Sequence, residues 1–360
     1  MDILILRVSA IGDVIHTLPS IFFIKKVLPN AKISWIVQKK AADLLINQPF
    51  LENVYVLPDK FLYPHHLLKI LKLIKKINKT RWDMIIDFQG ILKTSIFAYF
   101  IKGKKIGFDK KNARLGITTF FTNKQIKPKY KNIIQKNLNL TSGTLQEILK
   151  NNFKKCPTID SIKKNFKLKI KSKDKVIINN WLKKNDIKKF IILSPNTTWP
   201  SKHWPVENWK NLITILTKNN LNNNSIILLG KDFGAQAKNI FEYCKKNKIR
   251  ILFSPKWNLI QTSYLISLVN LLVAPDTGIL HIADFLGKKS IGIFGPTSAK
   301  KHGPFLLQNN ISNAIQIKCP HFYKKTHGKL KTSGNKTNCM YKLNAETLAK
   351  KILKIIKKEK

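Results

Sequence analysis

Acidic side chains are scarce in this chain. Only 19 Asp and Glu stand against 66 Lys and Arg in 360 residues, a formal net charge of +47. Such an excess admits nucleic acid, an anionic membrane or an acidic substrate as partners. The lysines spread over almost every segment among Asn and Ile, the mark of compositional drift along the whole chain. Basic–aromatic interleaving and a nucleic-acid motif are both missing, so a basic nucleic-acid-binding protein is a remote alternative and no nucleic-acid partner is expected. Arginine is rarer still, confined to Arg7, Arg81, Arg114 and Arg250. Guanidinium binds oxyanions bidentately where ammonium does not, so an arginine kept against a lysine bias is informative.

Cys156, Cys244, Cys319 and Cys339 are too dispersed for a disulfide framework. Cys319, His321, His327 and Cys339 match no standard zinc spacing, and no metal is expected. The strongest apolar run, Tyr264 to Ala274, is interrupted by Ser267 and Asn270 and is too short to span a bilayer. The chain opens Met-Asp and enters a strand-like segment without a basic leader, which points to a cytoplasmic protein.

What is present is alternation. Strand patterns at Asp2–Val8, Lys32–Gln38, Asn53–Leu57, Asp83–Phe88 and Lys105–Phe108 interleave with helix patterns at Val14–Val27, Lys40–Ile46, Leu67–Ile77 and Ile91–Phe100. A second series runs from Lys189 to Phe294. The stretch from about Lys110 to Lys175 is polar and Lys/Asn-rich, and is expected to be irregular and to hold a domain boundary. The reading is an α/β chain of two Rossmann-like domains, 1–165 and 175–340, facing across a cleft, with a basic amphipathic helix over 341–360.

The first strand–turn–helix junction carries Ser9, Gly12 and Asp13 where a dinucleotide fold would carry G-x-G-x-x-G. A carboxylate at that mouth suits a chemical base better than a pyrophosphate. The second half offers the anion site. In Asp276-Thr277-Gly278, Gly278 admits close backbone approach and the helix N-terminus presents N–H groups to a diphosphate, with His281 beside it. The competing reading is an ordinary helix start capped by Asp276 or Thr277. The loop Asn196-Thr197-Thr198-Trp199-Pro200-Ser201-Lys202-His203-Trp204-Pro205 groups hydroxyls with one cation. Lys202 is placed to neutralise a departing phosphate, or is one surface lysine among dozens.

Together these segments resemble the bacterial ADP-heptose glycosyltransferases (family 9) that build the lipopolysaccharide inner core. The resemblance rests on S-x-x-G-D-V-x-H-T-L-P at Ser9–Pro19, Ile86-Asp87-Phe88-Gln89-Gly90 with Lys93 and Ser95, and Asn112-Ala113-Arg114. It continues through Thr197-Thr198 with Lys202-His203-Trp204-Pro205, Asp276-Thr277-Gly278 with His281, Gly295-Pro296-Thr297 and Cys339-Met340, in one collinear order. The resemblance implies a GT-B fold whose final helix returns to the first domain, and an inverting, metal-free and cofactor-free transfer. The implied reaction moves heptose from ADP-L-glycero-D-manno-heptose to the Kdo of Kdo-lipid A, with a later core acceptor as the alternative. It implies Asp13 as general base, and Lys202 with Thr197, Thr198, Asp276, Thr277, Gly278 and His281 on the donor. Ser9, Gly12 and Arg114 fall on the acceptor side. A peripheral enzyme on the cytoplasmic face of the inner membrane follows from the same likeness. Asp232 and Gln236 are the alternatives for holding the nucleotide ribose, and Leu115 stands where the family often has an acidic residue.

Overall fold

The computed structural model describes residues 1–61, 63–150, 161, 167–219, 221, 223–229, 234–305, 312–319 and 339–357. The chain divides after Lys169 into two compact units.

In the first unit, apolar segments too short and too β-branched for helices form six parallel strands. They are β1 (Asp2–Leu6), β2 (Lys32–Gln38), β3 (Asn53–Leu57), β4 (Trp82–Asp87), β5 (Gly103–Phe108) and β6 (Lys124–Ile126). Their order in the sheet is β3-β2-β1-β4-β5-β6, with every pairing parallel. The connecting helices are α1 (Ile11–Val27), α2 (Lys39–Ala42), α3 (Leu67–Ile77) and α4 (Leu92–Tyr99).

The expectation of irregular chain from Lys110 to Lys175 is corrected by β6 and by α5 (Ile133–Leu149). Asn132 caps α5, its Oδ1 accepting from Ile134 N at 2.9 Å. The helix packs on α1, and small polar residues are buried on it beside Ile134, Leu138, Leu140 and Leu145. Asn137 Nδ2 donates to His16 O at 3.0 Å, and Thr141 and Thr144 are fully buried. An apolar-periodicity argument finds no such helix.

The second unit opens with α6 (Ser172–Lys184) and continues through β7 (Lys189–Leu193), α7 (Val206–Lys218), β8 (Asn224–Leu228), α8 (Ala235–Lys246) and β9 (Leu252–Phe253). It ends with α9 (Leu259–Leu268), β10 (Leu271–Pro275), α10 (Gly278–Phe285), β11 (Ser290–Phe294), α11 (Ala299–His302), β12 (Ser312–Gln316) and α12 (Ala345–Lys357). The sheet order β12-β11-β10-β7-β8-β9 is that of the first sheet counted within its own half. Both halves therefore carry the Rossmann order, in which the strand order reverses between the first and fourth strands.

The final helix belongs to the second compact unit. Leu348, Ala349, Ile352 and Ile356 are buried in the second unit's core with Trp204, Trp209, Leu212 and Leu216, and α12 lies on α7. The cause is local. Trp204 Nε1 and Asn208 Nδ2 both donate to Leu343 O, at 2.9 and 3.0 Å, and turn the chain onto α7.

Candidate active site

Ligands bind open α/β sheets where the strand order reverses, at the carboxyl ends of the two central strands. In the first unit these are β1 and β4. Arg7 follows β1, is buried, and its Nη2 lies 2.8 Å from Asp13 Oδ1. Its Nη1 donates to Phe88 O just past β4. Asp13 sits in the first turn of α1, where the helix dipole favours a carboxylate. Its Oδ2 accepts from Ala10 N at 3.3 Å, and its side chain keeps 27% of its surface exposed. The expected base is thus oriented by a guanidinium while still meeting solvent.

A second carboxylate shares that cation. Asp87, at the end of β4, is buried, and its Oδ1 accepts from Gln89 N at 2.7 Å and Gly90 N at 3.0 Å. Burial raises its pKa against those two hydrogen bonds and the Arg7 charge. Gln89 Oε1 in turn accepts from Val8 N at 2.9 Å and Ser9 N at 3.3 Å, which ties the β1 loop to the β4 loop. Gly90 adopts φ +58°, and a Cβ there would come within 3.3 Å of Arg114 N. The turn needs glycine, and Leu115 N closes it by donating to Gly90 O at 3.1 Å. Arg114 is exposed beside this turn, while Ser9 and Gly12 are half-buried at the start of α1. Arg7, Asp87 and Gln89 were not among the expected site residues. Their signal was an arginine kept in a lysine-rich chain and the Asp87–Gly90 segment itself.

In the second unit the reversal falls between β7 and β10. Lys202, in a 3₁₀ turn after β7, places Nζ 2.6 Å from Asp276 Oδ2 just past β10. Thr297 Oγ1 donates to the same oxygen at 2.8 Å, and His281 Nε2 lies 3.1 Å from Asp276 Oδ1. Burial alone would raise the Asp276 pKa. The His281 hydrogen bond and the Lys202 and His281 charges overcome it and hold the carboxyl well below the usual range. The structure thereby joins Lys202, Asp276 and His281 and adds Thr297, which sequence reasoning left outside the site.

Thr277 is the N-cap of α10, yet its hydroxyl makes no capping bond. Among the described residues, Thr277 Oγ1 and Asn196 Nδ2 are buried without a hydrogen-bond partner. Native proteins rarely leave such atoms unpaired, so both fit a ligand's polar groups better than a self-contained helix start. Gly278 is the first residue of α10, with the unpaired N–H groups of that terminus around it. Thr197 Oγ1 donates to Trp199 O at 2.6 Å, His203 Nε2 donates to Thr197 O at 3.0 Å, and Thr198 is exposed. Gly234, with φ +117°, brings the loop before α8 within 3.4 Å of Asn196 Oδ1 for an added Cβ. Gln236 Nε2 donates to Trp204 O at 3.2 Å, while Asp232, the other ribose alternative, lies outside the described residues with His321 and His327.

Gly295 carries Cys339 and Met340 so closely that a Cβ would sit 2.5 Å from Met340 Sδ and 2.8 Å from Cys339 Sγ. Cys339-Met340 thus packs under the turn that delivers Thr297 to Asp276. Among the described residues no three His, Cys, Asp or Glu are grouped to hold a metal ion.

Two Rossmann-order units give this chain the GT-B fold, and its family model makes it a glycosyltransferase. The chain belongs to glycosyltransferase family 9, the heptosyltransferases, whose sequence model matches residues 70–331. It is 25% identical over 321 residues to lipopolysaccharide heptosyltransferase 1 of Campylobacter coli, covering 88% of this chain and 89% of that one. It is 27% identical over 320 residues to the lipopolysaccharide core heptosyltransferase OpsX of Haemophilus influenzae, covering 87% and 83%. The fold matches the E. coli heptosyltransferase WaaC solved with ADP, at a TM-score of 0.75 and 19% identity over 99% of this chain and 100% of that one. It matches E. coli heptosyltransferase II at 0.74 and 16% identity, covering 100% and 99%.

Proposed function

We propose that this heptosyltransferase adds the first heptose of the lipopolysaccharide core, moving it from ADP-L-glycero-D-manno-heptose to the Kdo of Kdo-lipid A. The observation that carries the reading is Asp13: a partly exposed carboxylate at the strand-order reversal of the first sheet, oriented by Arg7. In this reading the acceptor hydroxyl attacks the anomeric carbon of the donor as Asp13 takes its proton. The bond from that carbon to the ADP oxygen breaks in the same displacement, so the anomeric configuration inverts. Ser9, Gly12 and Arg114 belong to the acceptor side, with the Arg114 guanidinium suited to a sugar acid.

The donor belongs to the second unit. Lys202 and the N-terminus of α10 at Thr277 and Gly278 balance charge on the leaving diphosphate, with Thr197 and Thr198 on the adjoining loop. Asp276 is an anion and would repel a diphosphate directly. It acts by positioning Lys202 and His281, to which it is bonded. Charge balance by Lys202 and backbone N–H groups calls for no metal or cofactor. The lipid-borne acceptor places the enzyme at the cytoplasmic face of the inner membrane. Consistent with a peripheral attachment, no helix among the described residues is long and apolar enough to cross a bilayer.

Purified protein mixed with ADP-heptose and Kdo-lipid A is expected to release ADP. Absence of turnover with any heptose donor and Kdo acceptor overturns the reading. A second reading is transfer to a later core acceptor, since the fold matches heptosyltransferase II as well as it matches WaaC. An enzyme that ignores the heptose-free acceptor and uses a heptose-bearing one is that later enzyme.

A further inference from the structure

We propose that the helical layer formed by α3, α4 and the 3₁₀ turn Gly116–Phe121 is a docking face for an anionic lipid bilayer. The inference rests on the reading that the acceptor is carried by a lipid, and names the surface that meets it.

The layer follows from the topology. The connections β3 to β4, β4 to β5 and β5 to β6 all advance in one direction across the sheet, and right-handed crossovers place them on one face. Contacts bear this out. The α4 helix touches the 3₁₀ turn, Phe61 before α3 packs edge-on to Phe97 of α4 at 5.9 Å, and Asn78 after α3 donates to Phe100 O at 2.9 Å.

The outer side of this layer is apolar where a soluble surface should be polar. Phe120 is 85% exposed, the highest value among the described large hydrophobic residues, and Leu68 is 73% exposed. Leu67 and Leu71 flank Leu68 on α3, Tyr99 and Phe100 end α4, and Ile117 lies one turn before Phe120, all exposed. The α4 stripe Lys93, Ile96, Phe100 repeats at helical spacing and points outward, while Phe97 and Ala98 point to the core. Contiguous exposed apolar surface of this kind marks an interaction site.

Charge selects the occupant. Lysines alternate with the exposed leucines along α3, at Lys69, Lys72, Lys75 and Lys76, and all are exposed. From Lys60 to Thr122 the only acidic residues are Asp83, Asp87 and Asp109. Asp87 is buried, and Asp109 accepts from Asn112 at 2.7 Å. A second copy of so cationic a face would be repelled. A surface of anionic headgroups over acyl chains matches both the lysines and the apolar tips. Aromatic side chains such as Tyr99 and Phe120 suit the interfacial depth. The placement also serves the site, because Leu115, next to this turn, is hydrogen-bonded to Gly90 in the loop that holds Arg114.

The test is sedimentation of the full chain with vesicles of phosphatidylcholine alone and of phosphatidylcholine with phosphatidylglycerol. Wild type is expected to bind the anionic vesicles. The double variants Phe120→Ser/Ile117→Ser and Leu68→Ser/Leu71→Ser should each partition about tenfold less, the scale of losing buried apolar side chains. Both should keep wild-type ADP release on a delipidated, water-soluble Kdo acceptor, which shows that they fold. Vesicle binding needs no turnover, so it tests the face even if the acceptor assignment fails. Variants that bind like wild type, or wild-type binding lost entirely in high salt, leave lysines alone as the cause and overturn the proposal. Self-association abolished by the same substitutions, without vesicle binding, overturns it in favour of a second copy.

Discussion

At the scale of single residues, the two strand-order reversals solve opposite problems with related parts. Arg7 is one buried cation serving two carboxylates, so Asp13 is oriented yet remains partly exposed. Asn at position 13 keeps the shape and the contact with Ala10 but cannot take a proton at neutral pH. Asp13→Asn should lower kcat by about 10²-fold or more while ADP-heptose affinity, measured by calorimetry, barely changes. Unchanged turnover would put the base elsewhere. Asp276 is the reverse case, one buried carboxylate serving two cationic partners. Burial raises its proton affinity, the partners lower it by more, and the folded value ends well below the unfolded value of 3.8. A folded-state pKa depressed in this way contributes stability that is complete above the unfolded pKa and drains as pH falls towards the folded one. Asp87, raised by burial, has the opposite sign and costs stability as pH rises through its folded value. Asp276→Asn strips Lys202 and His281 of their anion in a buried setting, at a cost of about 3 kcal/mol near neutrality. Its urea midpoint should then fall less steeply than wild type on acidification below pH of about 4. Parallel acid limbs for the two proteins would remove Asp276 from the acid response.

At the scale of elements, the sequence is legible where burial is apolar and periodic. The strand β2 and helix α3 fall at the boundaries their patterns set, because the strand is apolar on both faces and the helix carries one hydrophobic stripe. The α5 helix was hidden because the polar residues Asn137, Thr141, Ser142 and Thr144 are buried among its apolar ones and break the stripe. A Cβ on Gly143 would meet Ile126 at 2.9 Å, so small side chains are the packing device there. The β12 strand was hidden by its polar ends. In the candidate site, Asp13, Lys202, Asp276 and His281 were singled out from type and place. Their partners Arg7, Asp87 and Thr297 were not, since pairing across loops depends on which strands are neighbours. The α12 helix was legible as amphipathic, but amphipathicity gives a face and not its mate, so its packing on α7 was not legible. Ile352 is fully buried against α7 and the tryptophan pair, whose rings meet edge-on at 4.8 Å. Ile352→Ala should cost about 2–4 kcal/mol in thermal unfolding. A loss under about 1 kcal/mol is what a surface site gives, and would free α12 from the second core.

At the scale of the whole molecule, the same strand order is used twice for different chemistry. The first unit spends its reversal point on a carboxylate and a guanidinium, and the second spends its own on a cation cluster and a helix terminus with orphaned polar atoms. The excess of lysine adds no information about which unit takes the nucleotide, because it covers both. The helix terminus does: Thr277 and Gly278 open α10 beside Lys202, with Asn196 Nδ2 and Thr277 Oγ1 unpartnered on the loops after the adjacent strands β7 and β10. The unpartnered buried atom at the first unit's reversal point, Arg7 Nε, belongs instead to a cation already paired with Asp13. ADP alone should therefore act on one half of the chain. At about 100 times its Kd it should stabilise the unit that binds it by about 2.7 kcal/mol. Hydrogen exchange followed by mass spectrometry should show slowed amides at Asn196–His203 and Thr277–His281, with Ile11–Asp13 and Phe88–Gly90 unchanged. Protection centred on Asp13 would reverse the assignment, making the first unit the nucleotide site and leaving the Lys202–Asp276–His281 cluster a structural one.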